Sequence, residues 1–409
     1  MRFAARIGNV NPMDRTTRCF LTSRLAWRVV LLQVALLLTG LVRSAETPQP
    51  EKPSEADLQK FEDFLTFARN RNAQTYAPTG VRHIDESEYV SLGGIDQWIT
   101  IRGDDRDNPV LLFLHGGPGD VTNPWSYPYF QAWEKYFTVV QWDQRGAGRT
   151  LRKSGDSIAP TLTIDRIVQD GIVLTQYLRQ HLSKDKIILV GHSWGSVFGA
   201  LMVKARPDLF YAWVGTAQVM DFKEGNRVSY QLAVQTAERA GDTQAASELK
   251  ALGPPPYADG KGWQLFYKWR TACEGSDRFL GGLLGLALTS PGYSLRDFND
   301  WLHGQILDGQ QLFDQGTNLD PAKLAGRFAV PVFVFQGEHD CSSPTVLAER
   351  YVESISAPRK AFVAIPGAGH FAVFMKSDEF LEELVARVRP LAVAAGTGRV
   401  QSGRHSSTP

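Results

Sequence analysis

The segment Lys186-Ile187-Ile188-Leu189-Val190-Gly191-His192-Ser193-Trp194-Gly195 sets a short apolar run against a Gly-x-Ser-x-Gly turn. A strand buried on both faces reads as such a run, and Ser196–Met202 beyond the turn is compatible with a helix. Strand, tight turn and helix together fit a nucleophile elbow. Glycines two before and two after Ser193 let the turn tighten without Cβ clashes, which lifts the hydroxyl above the sheet edge. Alone, the pentapeptide is also compatible with a Gly/Ser turn that carries no chemistry.

The remaining parts of a serine hydrolase follow in chain order. An α/β-hydrolase fold presents Ser, then Asp or Glu, then His from successive strand ends. Pro331–Gly337 reads as a buried strand, and Glu338-His339-Asp340 lies just past it. Asp340 is the expected acid and Glu338 the alternative. Phe362–Pro366 reads as a further strand, followed by the flexible loop Gly367-Ala368-Gly369-His370, which makes His370 the expected base. Most of the other seven histidines sit before the core, in the tail, in the inserted region or within glycine turns; only His339, on the acid's own loop, competes.

Acyl transfer also needs N–H donors aimed at the developing oxyanion. His115-Gly116-Gly117-Pro118-Gly119 follows the apolar strand Val110–Leu114, and its small residues admit close approach of the main chain. By the hydrolase pattern the donors are the N–H groups of Gly117 and Trp194.

Three motifs, His115-Gly116-Gly117-Pro118-Gly119, Trp142-Asp143-Gln144-Arg145-Gly146-Ala147-Gly148-Arg149-Thr150 and Ser193-Trp194-Gly195-Ser196, resemble those of the prolyl iminopeptidase family of α/β-hydrolases. The resemblance spans about residues 85–390. It implies a serine aminopeptidase that releases N-terminal proline from peptides. Relatives with the same front half include esterases, so a carboxylesterase or amidase on the same triad is the alternative, and a non-catalytic ligand-binding protein a remote one. Three positions depart from the family pattern: His192 stands for a usual glycine, Thr150 for a serine, and Gly337-Glu338-His339-Asp340 for Gly-Arg-Tyr-Asp. In the resembled peptidases cap carboxylates hold the substrate's free α-amine, since a desolvated ammonium needs an anionic partner. Glu224, Glu274 and Asp277 are the candidates here. Arg145 has two readings: it ties a tight loop together, or it offers a planar donor pair to a substrate carboxylate.

Length and composition bound the rest. At 409 residues and 43% hydrophobic, the chain holds a large core with room for an insertion. Lys plus Arg (44) nearly balance Asp plus Glu (43), but residues 1–45 carry seven Arg and one Asp. The remainder is mildly acidic, which argues against a nucleic-acid partner. The Arg-rich start leads into an apolar stretch, Val29–Val42, of 14 residues, shorter than the roughly 20 of a membrane span. Residues 1–45 therefore read as a signal peptide or signal anchor, with 25–42 as a candidate membrane tether and an exported, periplasmic or extracellular location.

The expected order is then a linker (46–57), the first part of the core (58–220), a helical cap (221–329), the second part of the core (330–391) and a disordered tail (392–409). The cap interrupts a mostly parallel, helix-flanked sheet between a strand near Val219, read as Trp213–Val219, and one near Val330. Helical spacing within it appears at Arg227–Ala240, Gly262–Cys273, Arg278–Leu288 and Leu295–Leu307. Cys273 and Cys341 are the cysteines beyond the leader, enough for one disulfide. Neither metal-ligand spacing nor a phosphate loop is present, so no metal and no cofactor are expected, only a small peptide, ester or amide substrate.

Overall fold

The computed structural model describes residues 54–394. Two β-prone stretches joined at Gly93-Gly94, Ile84–Leu92 (β1) and Ile95–Gly103 (β2), form an antiparallel hairpin. Val110–Leu114 (β3), Thr138–Trp142 (β4), Ile187–His192 (β5), Phe210–Thr216 (β6), Val332–Gly337 (β7) and Lys360–Ile365 (β8) run parallel. The eight strands form one sheet in the order β1-β2-β4-β3-β5-β6-β7-β8. Every residue of β3, β4, β5 and β7 is buried, which is why these strands read as predominantly apolar runs, whereas the edge strand β1 alternates.

Helices cover both faces of the sheet. Ile164–His181 (α3), Trp194–Ala205 (α4) and Thr345–Ser354 (α10) pack on one face, and Ser377–Glu383 (α11) with the aromatic group around Phe130 and Trp133 on the other. The strand order reverses between β3 and β5, and loops that diverge at such a point open a crevice at the carboxyl ends of the strands. The His115-Gly116-Gly117 loop and the Ser193 turn leave β3 and β5 at that crevice. This is an α/β-hydrolase fold, an eight-stranded, mostly parallel sheet flanked by helices.

Between β6 and β7 lie Phe222–Ala240 (α5), Thr243–Leu252 (α6), Gly260–Cys273 (α7), Asp277–Leu288 (α8) and Leu295–Thr317 (α9). Several boundaries differ from those read in the sequence. β6 ends at Thr216, because Ala217 takes φ 47° and turns Gln218-Val219 out of the sheet toward the Ser193 turn. α9 runs ten residues past Leu307; Gly316 within it is a contact position where a Cβ would strike the Trp194 ring, not a helix end. The linker boundary is corrected as well, since Glu55–Thr75 (α1) is helical from Glu55, capped by Ser54, and buries Phe61 and Leu65 against Leu288 of α8. The tail boundary also shifts, as residues 392–394 remain helical. The leader falls outside the described residues, among which no helix is long and apolar enough to cross a membrane.

One buried network fastens the hairpin to the sheet. Arg145 Nε donates to Asp170 Oδ2 at 2.7 Å, while its other nitrogens donate to Thr161 Oγ1 (3.1 Å) and to the Gly93 carbonyl (2.8 Å). Asp170 also accepts from Gln97 (2.8 Å) and Arg166 (2.8 Å). Arg145 and Asp170 are 2% and 0% exposed, so no face of Arg145 is left for a substrate, and its substrate-binding reading is corrected to a structural one. Arg149, in Gly148–Ser154 (α2), is likewise committed, to Asp297 Oδ1 (2.7 Å) and the Gly292 carbonyl (2.6 Å). Removing one partner of a buried pair strands the other charge. Arg145→Ala is therefore expected to lower unfolding free energy by about 3–5 kcal/mol, measured by urea titration; a midpoint equal to wild type would refute the anchoring role.

Candidate active site

β5 ends at His192 and α4 begins at Trp194, which leaves Ser193 alone to make the turn. Its φ of 54° and ψ of −119° lie in a region that costs a non-glycine residue about 1–3 kcal/mol. Hydrogen bonds hold it there: the Ser193 N–H donates to the Thr216 carbonyl (3.0 Å), and Ser196 Oγ donates to the Ser193 carbonyl (2.6 Å). Ser196 Oγ in turn accepts from the Val219 N–H (2.9 Å), so the early end of β6 supports the turn. A Cβ at Gly195 would fall against the carbonyl oxygens of Leu114 and His115, so glycine is what lets α4 close onto the end of β3.

His370, on the loop after β8, places Nε2 at 3.0 Å from Ser193 Oγ and Nδ1 at 3.2 Å from both oxygens of Asp340. Asp340 is fully buried; Oδ1 accepts the N–H groups of Ser342 (2.9 Å) and Ser343 (2.7 Å), and Oδ2 accepts Gln336 Nε2 (2.7 Å). The structure thus joins Ser193, His370 and Asp340 in one hydrogen-bonded chain. Glu338 and His339 are exposed and paired with each other, and Glu338 accepts from the Gly367 N–H (3.1 Å) instead of meeting His370. Gly117 and Trp194 both line the cavity above Ser193. Trp194 opens α4, where the first N–H groups have no intrahelical acceptor.

Two supporting residues escape sequence reasoning. His192 is buried against the rings of His370, Phe371 and Phe374, and burial, reinforced by the nearby His370, pushes its pKa down to about 3. The neutral ring donates through Nε2 to the His370 carbonyl (3.0 Å), which fixes the base's loop from below. Gln336 is the other: a polar residue at the end of the apolar run Val332–Phe335, it supports Asp340, and its only signal in the sequence is its polarity.

Of the cap carboxylates, only Glu274 reaches this region. Its Oε2 accepts the N–H groups of Cys341 (3.0 Å) and Ser342 (3.2 Å), and Oε1 accepts Ser342 Oγ (3.2 Å). Burial and the neighbouring Asp340 raise its pKa to about 7. A disulfide between Cys273 and Cys341 ties the end of α7 to the acid loop beside it. Glu224 is corrected: it lies on the exposed side of α5 in an ion pair with Arg227 (2.6 Å), because the cavity face of that helix is formed by Phe222, Gly225 and Asn226. Asp277 is also corrected, as it is exposed at the start of α8. The carboxylates that do line the cavity, of about 860 Å³, are Asp221 and Asp314.

As for metals, Glu86, Glu88 and His181 bring ligand atoms together at the protein surface. They are already engaged there, Glu86 with Arg106 and His181 (both 2.6 Å) and Glu88 with Tyr177 (2.5 Å).

A chain of this fold with this constellation is a hydrolase, and comparison with known proteins agrees. Residues 111–383 match the model of the alpha/beta hydrolase family. The chain belongs to that family, within its prolyl iminopeptidase-like group. It is 31% identical over 286 residues to "Probable aminopeptidase YbaC" of Bacillus subtilis, covering 69% of this chain and 89% of that one. It is 25% identical over 304 residues to a proline iminopeptidase of Lactobacillus helveticus, covering 70% and 92%. Among solved structures, a potato epoxide hydrolase shares the fold at 17% identity and a TM-score of 0.51, covering 75% and 99%.

Burial disfavours the His370 imidazolium, but Asp340 and then Glu274 outweigh it and raise the His370 pKa, against which Arg270 acts weakly. His370 is therefore expected to titrate above the usual histidine value of about 6.5, followed by NMR of its ring protons. Glu274→Gln removes a negative neighbour, destabilises the imidazolium and should move the midpoint down. An unchanged or raised midpoint would refute the electrostatic link.

Proposed function

We propose that the protein is a serine aminopeptidase that releases N-terminal proline from short peptides through an acyl-enzyme. The observation that carries this reading is the chain Ser193 Oγ, His370 Nε2, His370 Nδ1, Asp340, opening on a cavity. Ser193 attacks the scissile carbonyl while His370 takes its proton; Asp340 holds the Nδ1–H and stabilises the imidazolium. The N–H groups of Gly117 and Trp194 receive the oxyanion. His370 then protonates the leaving amine, and water, deprotonated by the same base, releases the acyl group. Asp221 and Asp314, which line the cavity, are the carboxylates open to a substrate ammonium, while Glu274 lies buried beside Asp340. Similarity to an aminopeptidase and to proline iminopeptidases supports the peptidase assignment. Export belongs to the same reading and is supported by the Cys273–Cys341 bond, since disulfides persist mainly in oxidising compartments.

A second reading, an ester or amide hydrolase on the same residues, is favoured by one observation: Glu224 and Asp277 do not line the cavity, whereas Trp263, Phe266 and Phe313 do.

Two measurements separate these readings. Prolyl arylamide should be cleaved at least about 10²-fold faster, in kcat/KM, than its N-acetylated form, because the blocked substrate brings no ammonium to the carboxylates that line the cavity. Equal cleavage, or turnover of p-nitrophenyl esters alone, would favour the esterase. In either case Ser193→Ala should lower kcat by about 10³-fold or more; a folded variant with most of its activity would exclude Ser193 as nucleophile.

A further inference from the structure

Arg270 lies on α7 one turn before Glu274 and lines the cavity shared by Ser193, Trp194 and His370. Among the described residues that line this cavity it is the only lysine or arginine. Its guanidinium sits over the rings of Phe266 (5.4 Å) and Tyr267 (5.3 Å), which precede it by four and three residues on the same helix. Such stacking fixes the plane of the guanidinium and uses none of its five N–H donors. Among the described residues no salt bridge engages it, and Nε is buried without a hydrogen-bond partner.

None of the nearby carboxylates forms a salt bridge with it among the described residues. Glu274 is engaged by the Cys341 and Ser342 N–H groups and by Ser342 Oγ. Asp221 caps α5 through the N–H groups of Lys223 (2.9 Å) and Glu224 (3.0 Å). Asp314, on the far part of α9, is exposed to solvent. Arg270 is half-buried, and its buried Nε–H ordinarily has an acceptor. Here the open side is the cavity, so the partner must come from what the cavity binds.

We propose that Arg270 is a specificity residue that receives a carboxylate of the substrate, and that the preferred substrates are di- or tripeptides with a free C-terminus. The planar fork of arginine matches a carboxylate through two parallel N–H bonds, which an amide or an arylamide ring cannot reproduce. The inference deepens the peptidase reading and rests on this cavity being its substrate site. A short peptide is a zwitterion, and the cavity offers it both signs, Asp221 and Asp314 as carboxylates and Arg270 as the cation. A long peptide carries its carboxylate too far away to use this contact.

The test is made by titration calorimetry on full-length Ser193→Ala protein, so that it reads binding and not turnover. The probes are Pro-Ala and Pro-Ala-amide, which differ in one charge. Charged hydrogen bonds of this kind correspond to a preference of about 10- to 100-fold for the free acid. Adding Arg270→Gln should bring the affinity ratio of acid to amide close to one, and Arg270→Lys should keep part of it. Circular dichroism establishes that each variant is folded. If the Gln variant does not fold, the Lys variant and the acid-to-amide ratio of Ser193→Ala protein decide alone. A ratio near one before Arg270 is changed, a ratio untouched by Arg270→Gln, or failure of both peptides to bind would overturn the proposal. The peptidase reading fails by a different result, absence of prolyl arylamide turnover in wild type. In that event the same ratio, measured with mono-p-nitrophenyl succinate against p-nitrophenyl butyrate, tests the carboxylate contact on an ester.

Discussion

The site depends on one steric constraint, the closure of α4 onto the ends of β3 and β5 around a single strained residue. Ser193 takes a positive φ because the strand ends one residue before it and the helix begins one residue after it. Gly195 has no Cβ to strike the Leu114 and His115 carbonyl oxygens, so the helix N-terminus comes close enough to put Trp194 and the Gly116-Gly117 loop on the same side of the hydroxyl. Strain of this kind persists only where surrounding structure fixes it. Thr216 and Ser196 supply that here, through hydrogen bonds to both ends of the Ser193 residue.

Around this turn the chain holds its polar groups by supports that lie far apart in sequence. Asp340 is oriented by Gln336 within β7 and by two N–H groups of its own loop, and the His370 loop by His192 from β5. The cap is joined to the same loops twice. Cys273–Cys341 fastens α7 to the acid loop, and Trp301 on α9 donates to Asp120 (2.6 Å), just after the glycine-rich loop. Ion pairs from Arg149 and Arg152 to Asp297 complete the docking of α9 on α2. The helices that cover the cavity are thereby referred to the residues beneath them, and a group on α7 such as Arg270 or Glu274 has a defined position relative to Ser193.

Much of this was legible in the chain before folding. Buried parallel strands announce themselves as apolar runs, and β3, β5 and β7 were read nearly to their ends. The order of Ser193, Asp340 and His370 was legible because each follows such a run directly, and both β7 and β8 lead into short loops. What misled was local. Trp213–Val219 is apolar enough for a strand throughout, but Ala217 turns the chain because Val219 has a hydrogen bond waiting at Ser196. The helical spacing read over Leu295–Leu307 continues to Thr317 in α9, through Gly309 and Gly316. Of the glycines in α9, Gly304 and Gly316 are contact positions, against the loops near Gly119 and Gly146 and against the Trp194 ring, while a Cβ at Gly309 would meet nothing.

Sequence alone therefore determined the class of fold, the cap's place in it and the residues able to form the Ser-His-Asp chain, since periodicity and motif spacing are properties of neighbours along the chain. It could not decide between the two uses of Arg145, because Asp170, Gln97 and Gly93 meet it only when the hairpin packs on α3. Nor could it rank the cap carboxylates or expose Arg270. Whether a charge on an amphipathic helix faces water, a partner or a cavity depends on how the helix is rotated and on what already occupies the groups beside it. Tertiary packing fixes both, placing Glu274 against Asp340, leaving Glu224 and Asp277 in solvent, and setting Arg270 on the wall of the cavity that Ser193 also lines.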